Sequence, residues 1–211
     1  MGFALSHAQT DAEILEKIKQ ASLQVHSLAC DFTQEKHISI LDDVLVSTGK
    51  MQYQASDKLR WEYTSPSAFV FTMDGNQVCL KSEAESKVID SKKDRRFKHI
   101  AKMMEGNIIG NSLADTKSFK TELQQVDGQW QVTLIPLRAD LKQMWQKLVL
   151  YIPADLKMVS KVEFYEVSGD YTSIAFKNIQ VNQPVDFWFY SGCALMMNRL
   201  IDESFLLRLG D

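Results

Sequence analysis

The sequence predicts an α+β fold: an incomplete, strongly curved antiparallel β-barrel of about 10–11 strands, with an N-terminal helix and short mid-chain helices covering its concave apolar face. Three observations predict it. A single helical period opens the chain and then gives way to two-residue alternation. The strand-like runs follow one another through short turns, which is the mark of an antiparallel meander and excludes a parallel α/β sheet. A meander this long must curl or close to manage its edges.

Thr10-Asp11-Ala12-Glu13 is a capping box. Behind it Ile14, Leu15, Ile18, Ala21 and Val25 recur at helical spacing, so one amphipathic helix is expected from Asp11 to Val25. From Ser27 the period changes. Leu28, Cys30 and Phe32 share one face of a first strand, and Leu45, Gly49, Met51 and Tyr53 suggest a second. "KLRWEYTS" from Lys58 is a third strand, "AFVFTM" from Ala68 a fourth, "QVCLKS" after the Asp74-Gly75 turn a fifth, and "SKVIDS" a short sixth. The third and fourth leave their register open. A three-residue turn over Ser65, Pro66 and Ser67 puts Trp61 and Tyr63 on the face of Phe69 and Phe71, and a two-residue turn puts them opposite Val70 and Ala68. The first is the expected one.

The alternation then breaks. Asp94 is a cap, Phe97, Ile100, Ala101 and Met104 form one helical face, and Gly106 is placed to stop it, so one or two short helices interrupt the sheet. Strands resume at "FKTELQQV", the Asp127-Gly128 turn and "QWQVTLIPL". After a helical turn over "DLKQMW" come "KLVLYIP", "MVSKVEFYEV", the Ser168-Gly169-Asp170 turn and "YTSIAFKNIQV". There are no repeats and no low-complexity linker, so residues 11–185 are expected as one domain. Residues 1–10 fit either a signal remnant cut before Gln9 or a disordered leader. Residues 186–211 form a C-terminal extension in which Leu195, Met197, Leu200, Ile201, Phe205 and Leu209 suggest an apolar helix.

Composition narrows the function. The chain has 211 residues, 45% hydrophobic, and a net charge of −3, which gives no reason to expect nucleic acid. No apolar run spans a bilayer. The cysteines, Cys30, Cys79 and Cys193, have no metal-type spacing, and an odd, scattered set reads as buried thiols rather than a disulfide framework. There is no Gly-x-Ser-x-Gly elbow and no His-Glu-x-x-His helix. Ser47-Thr48-Gly49-Lys50 matches the tail of a phosphate loop, but Val44 stands where its leading Gly belongs; as Ser-x-x-Lys it is too short to carry weight. His7, His26, His37 and His99 show no ligand spacing. No enzyme, metal or cofactor is expected.

Several stretches carry a resemblance: "DFTQEK" at Asp31, "GKMQYQASDKLRWEYTSPSAFVFTMDGNQV" from Gly49, and "VEFYEVSGDYTSIAFKNIQVNQPV" from Val162. Their order resembles the periplasmic outer-membrane lipoprotein carriers, the LolA family, over roughly residues 11–185. The resemblance implies an incomplete barrel with helices as a lid over a hydrophobic cavity. It also implies acylated lipoproteins as cargo, an inner-membrane lipoprotein-releasing transporter as donor, an outer-membrane receptor as acceptor, and the periplasm of a Gram-negative bacterium as location. A monomer is expected. Ala55 stands near where some members carry a lid-latching Arg, and Arg60 lies inside the next strand.

A carrier of acyl chains needs a concave apolar surface with loose, adaptable packing, which aromatic and Met side chains supply. The expected cavity lining is Met51, Tyr53, Leu59, Trp61, Tyr63, Phe69, Phe71, Met73 and Trp145, with Met144 beside it; the expected lid is Phe97, Ile100, Met103, Met104 and Ile108. The alternatives are a lipid- or lipoprotein-sensing interaction protein of the same fold and a carrier of another lipid or glycolipid. A lipid hydrolase is disfavoured by the missing nucleophile.

Overall fold

The computed structural model describes residues 10–40, 43–55, 58–75, 77–84, 86–90, 115–156 and 158–185. The leader, the lid candidates Phe97, Ile100, Met103, Met104 and Ile108, and the 186–211 extension lie outside the described residues.

Helix α1 runs Asp11–Leu23. Its capping box forms: Thr10 N donates to Glu13 Oε2 at 3.1 Å and Glu13 N to Thr10 Oγ1 at 3.4 Å. Ile14, Ile18 and Ser22 make its buried stripe, and Val25 is buried just beyond its end. Eleven strands follow: β1 (Ser27–Ile38), β2 (Asp43–Gln54), β3 (Lys58–Ser65), β4 (Phe69–Asp74), β5 (Gln77–Ser82), β6 (Ser86–Asp90), β7 (Phe119–Val126), β8 (Gln129–Pro136), β9 (Trp145–Pro153), β10 (Lys161–Glu166) and β11 (Tyr171–Val181). A short helix, α2 (Ala139–Lys142), sits between β8 and β9.

The strands form one 11-stranded sheet in the order β6-β5-β4-β3-β2-β1-β11-β10-β9-β8-β7. Its ends, β6 and β7, do not pair with each other, so the sheet is open as expected. All neighbours are consecutive in the chain except β1 and β11. That junction is tied by Asn182, which holds a left-handed backbone at φ 56°. Its Oδ1 accepts from His26 N at 2.7 Å and Ser27 N at 3.3 Å, and its own N–H donates to Ser27 O at 2.8 Å. Ser27 Oγ adds a bond to Gln183 O at 2.6 Å. The hairpin β7–β8 turns on Asp127 and Gly128, both at positive φ, which is the backbone a two-residue turn requires.

The contacts gather into two compact units. Among the described residues, one unit takes 10–25, 34–45 and 115–176, and the other 26–33, 46–90 and 177–185. In the first, the apolar face is a lattice across β8, β9, β10 and β11, with Val132 opposite Leu150, Leu150 opposite Val162, and Val162 opposite Ile174. All four are buried.

The second strand forms as Leu45, Gly49, Met51 and Tyr53 predict, but its first part is uncovered: Leu45 is 51% exposed, with Val44 at 43% and Val46 at 52%. The ladder with β3 begins only at Thr48, so this part of β2 has no β3 neighbour to bury it. Met144, expected near the cavity, is 48% exposed, because it lies in the turn after α2. The cysteines are not all thiols. Cys79 is disulfide-bonded, and Cys30 is free and buried. Burial, reinforced by the neighbouring Asp31 charge, pushes the Cys30 thiol up to about 12 and leaves it inert.

Candidate functional site

Antiparallel partners directly opposite each other point to the same face. The registers of β2 to β5 therefore assemble the candidate residues into rows. Tyr53, Leu59, Met73 and Val78 form one; Met51, Trp61, Phe71 and Leu80 the next; Gly49, Tyr63, Phe69 and Ser82 the third. All the expected lining residues except Trp145 share this one face. Trp61 pairs with Phe71 and Tyr63 with Phe69, which is the register the longer turn predicts. The first two rows are buried apart from the partly covered Leu80, and the face opens at Tyr63 and Phe69, which are partly exposed.

Two features of this face were missed by the sequence reading. Val78 and Leu80 extend it onto β5. Phe32, from β1, lies over it: its ring stacks on Trp61 at 4.3 Å and meets Tyr63 edge-on at 5.3 Å. It can do so because Gly49 has no side chain. A Cβ there would strike the Glu62 carbonyl oxygen and come within 2.6 Å of Phe32 Cζ. A register shift between Thr48 and Gly49 accompanies that close approach. The signal was present in the Phe of "DFTQEK" and the Gly that opens the next motif, but only their cross-strand proximity joins them.

The opposite face of β2–β4 is polar. Arg60 donates to Glu62 through Nη2 at 2.9 Å and Nε at 3.1 Å, and Lys58 pairs with Asp74 at 3.5 Å. Arg60 thus points away from the aromatic rows. Ala55 uses its backbone N–H to reach His26 O at 2.7 Å.

Trp145 belongs to the other unit. Its ring packs on Phe164 at 5.5 Å, which places it on the apolar face of that unit. On the reverse of the same strands sits a buried carboxylate. Glu163 accepts from Lys161 Nζ at 2.6 Å and from the Tyr151 and Tyr165 hydroxyls at 2.9 Å each. Burial alone would raise its pKa, but the bonds from Lys161, Tyr151 and Tyr165 outweigh that and hold it below the ordinary glutamate value. The two phenols move the other way, mainly through desolvation and then through Glu163, with Tyr165 pushed up to about 12.

Chemically, the aromatic face offers area and polarisable surface, with no charged group in its rows. Among the described residues no group of three His, Cys, Asp or Glu could hold a metal ion. No helix among them is long and apolar enough to cross a membrane.

Comparison with known proteins agrees with this geometry. Two solved structures share the fold at low identity. A DUF1329 family protein from Desulfovibrio piger is 12% identical, with 87% of this chain and 96% of that chain covered and a TM-score of 0.50. MucB in its complex with MucA from Pseudomonas aeruginosa is 14% identical, with 86% and 61% covered and a TM-score of 0.50. A LolA superfamily protein from Nitrosomonas europaea is 14% identical, covered at 86% and 98%, with a TM-score of 0.43. No curated protein matches the chain. The family model described as outer membrane lipoprotein carrier protein LolA matches residues 23–189. That is most of the chain, and the protein belongs to the LolA family.

Proposed function

We propose that the protein carries the acyl chains of lipoproteins through the periplasm of a Gram-negative bacterium toward the outer membrane, without catalysis. The observation that carries this reading is the continuous aromatic and Met face of β2–β5, built from Met51, Tyr53, Leu59, Trp61, Tyr63, Phe69, Phe71 and Met73. Exposing an acyl chain to water costs about 0.8 kcal/mol per methylene, so a single long chain needs on the order of 10 kcal/mol of cover. An apolar face supplies that cover without directional bonds that would slow release. Phe97, Ile100, Met103, Met104 and Ile108 supply the lid in this reading, an inner-membrane transporter loads the carrier, and an outer-membrane receptor empties it. The disulfide at Cys79 favours an oxidising compartment.

A second reading, an interaction protein that senses lipids or lipoproteins, is favoured by the fold shared with MucB, whose solved complex contains MucA. Native mass spectrometry of protein recovered from a Gram-negative periplasm separates the two. Co-purified acylated lipoprotein is expected for the carrier. Protein that arrives empty and fails to quench its Trp fluorescence with a fatty-acid probe overturns it.

A further inference from the structure

We infer that Cys193 is the disulfide partner of Cys79, and that residues 186–193 lie as a strap across the polar face of β2–β5, behind the aromatic rows. This placement does not depend on what the aromatic face binds.

Cys79 is disulfide-bonded, Cys30 is free, and the chain has one other cysteine, Cys193. The register fixes the direction in which the bond leaves the sheet. Cys79 stands opposite Thr72, Thr72 opposite Arg60, and Arg60 opposite Gln52. These four share the polar face, while Val78 and Leu80 belong to the aromatic one. The polar face is covered here. A strand with one bare face buries alternate residues, yet β4 buries Phe71, Thr72 and Met73 in succession and β5 buries Val78 and Cys79. The side-chain oxygens of Gln52 and Gln54 are buried too, and the Arg60 side chain is only 18% exposed.

The length of chain available selects the path. Gln183 is held at the start of β1, where Ser27 Oγ donates to its carbonyl oxygen. The Ala55–His26 bond brings that point level with Gln54, Lys58, Asp74 and Gln77. Cys79 lies four strand spacings across and two residues along from there, about 20 Å in all. The ten residues from Gln183 to Cys193 reach at most about 35 Å. A route over the aromatic face and around the β6 edge needs about 40 Å, so the chain crosses the polar face directly. Its sequence suits that path. Phe187, Trp188, Phe189 and Tyr190 are consecutive, and in an extended run alternate rings face the sheet, where Arg60 and the stem of Lys58 offer cation–π and apolar contact. Closing the bond removes two protons and two electrons from the two thiols, and a protein disulfide takes them up as it becomes a dithiol.

Tryptic mapping of the full-length protein without reductant tests the pairing. The peptide Trp61–Lys81 should be recovered joined to Asn178–Arg199, from a band that runs as a monomer on a non-reducing gel. A disulfide-linked dimer band, or Cys79 joined to a small thiol, overturns the pairing. Nuclear Overhauser contacts in methyl-labelled wild-type protein test the path, and so need no variant that folds. The Thr72 methyl is expected to contact ring protons of residues 187–190. Contacts from those rings to the Met51 or Met73 methyls, or to neither face, overturn the strap. Cys193→Ser should also lower the melting temperature by roughly 5–15 °C, the range for losing one long-loop disulfide in a chain of this size. A melting temperature that does not move overturns the claim that the bond holds the segment in place.

Discussion

Gly49 and Glu163 show how much single side chains decide here. At Gly49 even a methyl group meets the Glu62 carbonyl and the Phe32 ring at once. Gly49→Ala should therefore cost about 3 kcal/mol, at the upper end for overpacking a rigid site, and a denaturant titration should show the lowered midpoint. Phe32→Leu should lose less, because it opens space instead of demanding it. Glu163 makes a pH prediction. Its folded pKa lies below the ordinary glutamate value of 4.5, so its contribution to stability is complete above that value and is lost as pH falls through the folded one. Glu163→Gln should cost about 2 kcal/mol at neutral pH through its mismatched hydrogen bonds. The same change should flatten the decline of melting temperature below pH 4.5. A variant that keeps the wild-type acid slope would show that other carboxylates govern it.

At the scale of elements, the β3–β4 hairpin was legible because its turn chemistry and its alternation agree, and the register followed from both. β2 was legible only in its second half. Its alternation continues through Leu45, but burial requires a neighbouring strand, and β3 stops short of it. The sequence periodicity of a strand says which residues share a face, not how far the face is covered. A paired test follows. Leu45→Thr should change stability by less than about 0.5 kcal/mol. Leu59→Ala, at a residue 1% exposed one strand over, should cost about 3 kcal/mol. Thermal denaturation of the two variants checks the contrast, and similar losses would mean that the start of β2 is covered in solution. Phe32 was missed for a related reason: its partner is an absent side chain on another strand, which no local pattern records.

For the whole molecule, the open antiparallel meander and the family were readable from motif order, since each motif marks one strand or turn and their sequence is the topology. The covalent cross-link was not, because three cysteines give no pairing arithmetic. Peptide mapping of protein unfolded without reductant should find Cys30 alkylated. Cys79 should react only after reduction, and a freely reacting Cys79 would contradict the structure.

The Asn182 junction has a mechanical meaning. The sheet begins at Ser27 and ends at Val181, and Asn182 fastens these two ends side by side. Tension applied between residues 26 and 182 would not shear many hydrogen bonds together. It would meet them one at a time, Asn182 first, as the teeth of a zipper. The seam between the first and last strands is thus the place where a pulling machine, such as an unfoldase gripping either flank, would open this sheet at low force.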